Sequence, residues 1–187
     1  MNAIRIENTP TVHLSITCGY ATIEWMTEFL GDPVSEKELL SQNNGKVVTA
    51  FPKKFGRELE KHLGSNYSVN SIYHANNQEI LLSMHTSLEK GFPLPISFAA
   101  VDDTNRPHYT LHYSIVTGMD MSNDQIYISN VYGYEEVYSI QDFLSAMNFN
   151  NYENMPIFIK MGIFFGLFDK NTIYVIEENT SLTTSIR

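Results

Sequence analysis

Cys18 is the only cysteine in 187 residues, so no internal disulfide can form. The chain therefore suits a reducing compartment and has no need of an oxidising one. Basic residues are also scarce: 12 Lys and Arg face 21 Asp and Glu, a formal net charge of −9. Such a surface repels phosphate backbones and anionic lipid, so neither nucleic acid nor a membrane is an expected partner. Long apolar runs are missing as well. The most apolar stretch, residues 157–168, contains Lys160 and is too short to span a bilayer as a helix. The first ten residues lack the cationic and apolar segments of a secretory signal. The expectation is a cytoplasmic protein, or one exported without a cleaved signal. No repeat, linker or shift of composition divides the chain, and 43% of its residues are hydrophobic. One domain over residues 1–187 follows, with 1–14 as an extended arm and 178–187 as a frayed polar tail.

What is present is a change of period halfway along. Cys18, Ala21, Trp25 and Phe29, widened by Ile23, Met26 and Leu30, recur at helical spacing. Ser15 or Thr17 can cap that helix, and Gly31 with Pro33 stops it. Ser35 with Glu38 reads as a capping box for a second helix, and Pro52 opens a third that runs to His62 or Leu63. Lys53, Lys54, Arg57 and Lys61 on that third helix read as a solvated face balanced by Glu58 and Glu60. A strand over Tyr67–Tyr73 and a fourth helix over Asn76–Lys90 come next. Beyond Gly91 the pattern is β-rich over 94–101, 110–118, 125–129, 156–168 and 172–176, with one short helix over Ser139–Met147. Helices first and an antiparallel sheet afterwards make an α+β layout.

Cys18 falls in the first turn of its helix, where free N–H groups and the macrodipole favour a thiolate. His112 begins an apolar strand and Asn130 ends the next one. If these pair through a turn at Asp120–Asp124, His112 and Asn130 meet at one edge of the sheet, and a helix packed there can deliver Cys18. The imidazole would take the thiol proton, the thiolate would attack a carbonyl carbon, and the Asn130 amide would hold the ring. The plain alternative is a core cysteine with a strand-edge histidine that only hydrogen-bonds locally.

Several short motifs stand in a telling order: Cys18-Gly19 opening a helix that ends in Leu30-Gly31, Val34 to Leu39, Lys90-Gly91-Phe92-Pro93, His112-Tyr113 with Val116-Thr117-Gly118, and Ser129 to Gly133. Together, over about Cys18 to Met147, they resemble the papain-like cysteine peptidases, closest to the bacterial peptidases that process bacteriocin leaders at double-glycine sites and their stand-alone relatives. The resemblance implies a papain-like fold with the nucleophile helix packed on the sheet. It also implies hydrolysis of a peptide or amide bond in a peptide or protein substrate, without a cofactor. Cys18 would be nucleophile, His112 base and Asn130 the orienting residue; relatives in this subgroup more often carry Asp at the last position. The family's oxyanion glutamine, six residues before the cysteine, is replaced by Val12. His13 is the nearest substitute donor, with Ser15 and Thr17 as others, and loss of one such donor costs about two to three orders of magnitude in rate. Tyr20 stands where relatives commonly have Pro.

The same chemistry allows acyl transfer to an amine or deamidation of a glutamine side chain, and the missing glutamine raises a further alternative, a papain-fold binding module without catalysis. His62, His74 and His85 read as structural or solvated, and His108 as an alternative base. His108 and His112 on one strand face suit zinc in spacing, but no second cysteine or carboxylate pair completes a site, so no metal is expected. Nothing in the sequence decides the oligomeric state.

Overall fold

Thr17 starts the first long helix, α1 (Cys18–Phe29), by accepting the Tyr20 N–H on its hydroxyl at 3.3 Å. The computed structural model describes residues 3–11, 17–102, 108–131 and 133–179. The N-terminal residues His13 and Ser15 and the tail beyond Asn179 lie outside them. Gly31, at φ +87°, makes the left-handed turn that ends the α1 segment. In α2 (Glu36–Gln42) the capping box is present: the Ser35 hydroxyl accepts the Glu38 N–H while the Glu38 carboxylate accepts the Ser35 N–H. Proline opens α3 (Pro52–His62), Asn76 caps α4 (Asn77–Glu89), and Ser139 caps α5 (Ile140–Met147).

The strands are β1 (Ile4–Arg5), β2 (Tyr67–Ile72), β3 (Leu94–Asp102), β4 (His108–Asp120), β5 (Gln125–Asn130), β6 (Tyr134–Tyr138) and β7 (Thr172–Glu178). They form one sheet in the order β2-β7-β3-β4-β5-β6, and each described pairing is antiparallel. β1 pairs with β4 at Ile4 and Met119, just past the point where β3 ends its pairing at Leu94 and Val116.

Helices cover both faces. On one side α1, α3 and Leu39 of α2 pack with Tyr113, Ile115, Tyr174 and Ile176. On the other, α4 and α5 pack with Ile96, Phe98, Val116, Ile128 and Ile173. Strand alternation makes this sorting: neighbours such as Ile173 and Tyr174 leave the backbone on opposite faces. Trp25 and Tyr20, fully buried, anchor α1; Trp25 Nε1 donates to Ser129 Oγ at 3.1 Å and the Tyr20 hydroxyl donates to the Lys46 carbonyl at 2.7 Å.

Two elements differ from the sequence expectation. The apolar run 156–168 holds a helix, α6 (Ile157–Phe164), in place of a strand. Gly162 permits this packing, because a Cβ there would lie 2.3 Å from the Phe168 ring. β6 stands where no strand is expected; it is an edge strand, and both carboxylate oxygens of its Glu135 accept from Arg5 Nη2 at 2.7 Å. No described helix is long and apolar enough to cross a membrane.

Candidate active site

β4 pairs with β5 only from Ile115 onward, opposite Ser129. Before that point, the β4 edge that faces away from β3 has no strand beside it among the described residues. Cys18, the first residue of α1, sits against this open edge. Its sulfur is within hydrogen-bonding reach of the Tyr113 backbone N–H, one residue along from His112. The helix places it there because Ala21, Trp25 and Met26 bury one face of α1 against β4 and the α3 layer.

His112 lies on the same strand with its ring beside Phe98, its partner in register on β3; the ring centroids are 5.8 Å apart at 70°, edge to face. Its Nε2 is 3.3 Å from Asn130 Oδ1. In the tautomer that carries its proton on Nε2, the ring donates to the amide oxygen and Nδ1 is the unprotonated nitrogen. Both side chains are buried, at 2% and 4% exposure. The structure thus brings His112 and Asn130 into direct contact and sets Cys18 against the main chain next to His112. It adds Thr17 to this group as a helix cap. His108 opens β4 four residues earlier, opposite Asp102.

Burial pushes the Cys18 thiol above its ordinary value. The N–H groups of Tyr113, Gly19 and Cys18 itself pull the other way, and the nearby Glu36 charge adds to the rise. Burial pushes the His112 imidazole below its ordinary value, against the opposing pull of Asn130 and of the Glu136 charge. Each group is thereby biased to its neutral form.

Two residues near the thiol have no warning in the sequence. Glu36 reads as an ordinary acidic residue in a first helical turn, yet it is 2% exposed and its carboxylate accepts the Thr17 N–H. Its own N–H donates to Glu24 Oε2 at 2.7 Å, so α1, α2 and the residue before Cys18 are tied together. Thr49, in the 3-10 turn Val48–Ala50, is 1% exposed and packs on Gly19 so closely that a Cβ at that glycine would lie 2.5 Å from its hydroxyl oxygen. Of the remaining histidines, His74 contacts Asp169 at 3.0 Å, His62 lies 3.6 Å from Glu58 and His85 lies 3.2 Å from Glu89. Among the described residues no group of three or more His, Cys, Asp or Glu is placed to hold a metal ion.

The crystal structure of the N-terminal peptidase C39 like domain of the toxin secretion ATP-binding protein from Vibrio parahaemolyticus aligns over 89% of this chain and 100% of its own, at 7% identity and a TM-score of 0.46. No curated protein sequence matches. Residues 4–157 match the model of the Peptidase_C39 like family, a span that holds α1, the β4–β5 hairpin and the residues Cys18, His112 and Asn130. With most of its length matched, and with the α+β papain-like architecture that this membership carries, the chain belongs to the Peptidase_C39 like family.

Proposed function

We propose that the protein is a cysteine-dependent hydrolase of peptide or amide bonds, with Cys18 as nucleophile, His112 as base and Asn130 as the residue that orients the imidazole. One observation carries the reading: in a chain of a peptidase family, Cys18 starts α1 against the Tyr113 backbone of β4, and the residue before Tyr113 is His112, whose Nε2 is engaged by Asn130. With Nε2 donating to Asn130, Nδ1 is the atom that takes the thiol proton. The thiolate attacks the carbonyl carbon, and the resulting imidazolium returns its proton to the leaving amine. Water, deprotonated by the same nitrogen, then releases the acyl group. The Cys18 N–H is one donor to the developing oxyanion, and His13 is the proposed second.

Because burial favours neutral forms of both Cys18 and His112, the proton moves as substrate reacts, in place of a standing thiolate–imidazolium pair. The same bias favours a second reading, a papain-fold module that binds a peptide and does not cleave it.

Digestion of a complex peptide mixture by the native protein and by Cys18→Ala, followed by mass spectrometry, separates these readings. New peptide termini made by the native protein alone support hydrolysis. A one-dalton gain at glutamine indicates deamidation, and amine-linked products indicate acyl transfer. Equal products from both proteins end the proposal of Cys18 chemistry.

A further inference from the structure

A cavity of about 230 Å³ opens directly beside Cys18. Apart from Cys18, Gly19 and three threonines it is walled by apolar side chains: Val47, Ala50, Leu111, Tyr113, Phe158, Ile159 and Phe168. Among the described residues no charged one lines it. Its walls come from the 3-10 turn, β4, α6 and Phe168 beyond it, so the cavity depends on the folding of α6 and the turn after it beside the nucleophile. At about 30 Å³ of liquid per water molecule, the space equals roughly seven to eight waters, which is the scale of one large side chain. Small pockets of this composition favour apolar groups, since little in their walls repays the desolvation of a charge. The outer rim is continuous with the exposed face of α6, where Ile157, Phe158 and Met161 stand in solvent at 72%, 67% and 53% exposure.

We infer that this cavity is a specificity pocket that takes an aromatic or long aliphatic side chain within a residue or two of the scissile bond. The inference rests on the Cys18 chemistry proposed above and adds the substrate class, peptides with a bulky apolar residue next to the cleaved amide, which departs from the double-glycine sites of the peptidases that the sequence resembles. Polar or charged residues at that place are poor substrates, because their heads would lose water against Leu111, Ile159 and Phe168. Ala50 and Phe158 control entry, being exposed at the mouth while the floor is buried.

The test uses reagents that carry their own electrophile, so no natural substrate is needed. The native protein is treated with iodoacetamide and with three chloromethyl ketones bearing acetyl-Gly-Gly, acetyl-Phe-Gly or acetyl-Gly-Phe. Cys18 displaces iodide from iodoacetamide and chloride from each ketone, and modification is followed by mass spectrometry. At least one phenylalanine reagent is expected to react about tenfold or more faster than the Gly-Gly reagent, the gain that burial of one aromatic side chain brings. Ala50→Trp, which fills the mouth from an exposed position, is expected to bring that ratio down to within about twofold, and Phe158→Ala to change it less. Three equal rates alongside brisk iodoacetamide alkylation would overturn the pocket assignment and leave the Cys18 chemistry standing. Slow alkylation by every reagent, no faster than a free thiol, would overturn both.

Discussion

At the scale of single residues, the site depends on a carboxylate that the chemistry does not call for. Glu36 ties Thr17 in place, and its charge adds to the burial that holds the Cys18 thiol above its ordinary value. Glu36→Gln keeps an acceptor for the Thr17 N–H and removes the charge, so Cys18 alkylation at pH 7 is expected to rise by about twofold with little loss of stability. Asn130→Ala removes the partner of a buried imidazole nitrogen. It is expected to cost about 1–3 kcal/mol in urea unfolding, the usual penalty for an orphaned buried donor, whereas Asn130→Asp keeps an acceptor and costs less. If Asn130→Ala and Asn130→Asp unfold alike, the contact with His112 carries no weight. The sequence made the contact of His112 and Asn130 legible because both lie on one hairpin with a short turn, which keeps them at the same end of the sheet even though the register shifts between Val116 and Gly118. Glu36 was illegible because its role depends on where α2 folds against the residue before α1.

At the scale of elements, the close approach between α1 and the 3-10 turn Val48–Ala50 is the tightest constraint near the thiol. Gly19→Ala forces the new Cβ into Thr49, whose Oγ1 and Cβ would lie at 2.5 and 2.6 Å. The expected cost is about 1–3 kcal/mol of stability by denaturant unfolding. Thr49→Ala should rescue only part of it, since the Thr49 Cβ itself is in the way. α6 offers a second comparison. Phe164 is 80% exposed and Ile159 only 3%. Phe164→Ser is expected to change stability by less than about 0.5 kcal/mol, while Ile159→Ala costs about 2–4 kcal/mol. A strand in this region would bury alternate residues and reverse that contrast for at least one of its neighbours. The sequence points to a strand there because Ile157 to Phe168 is a short, nearly continuous apolar run, and such runs carry no period to separate strand from helix. What decided for helix was tertiary: Gly162 under the Phe168 ring, and Gly166 at φ +67° turning the chain back. β6 escaped for a related reason, as an edge strand with Glu135 and Glu136 at its centre looks like a charged loop until Arg5 and β5 are beside it.

At the scale of the whole molecule, two cores on opposite faces of one sheet converge on β4, which gives Tyr113 to one and places His112 among residues of the other. Stability and site chemistry are therefore coupled through pH. His112 and His62 are both held below their ordinary values chiefly by burial. Their folded-state values lie under those of the unfolded chain, so at acid pH the unfolded state binds more protons. The stability they leave intact above about pH 6.5 is lost as pH falls below it. The melting temperature is expected to drop between pH 7.5 and pH 5.0, and His112→Gln should flatten part of that slope. An unchanged slope in His112→Gln would mean that His112 is not held neutral by the fold.

The central claim is that His112 acts on Cys18, and the most direct measurement is the iodoacetamide alkylation rate of Cys18 from pH 4 to 9 in the native protein and in His112→Ala. At pH 7 the native protein is expected to react about tenfold faster, with an advantage that persists below pH 6.5 because burial keeps the imidazole unprotonated there. Superimposable profiles, both rising only near the value of a buried, unassisted thiol, would contradict the account.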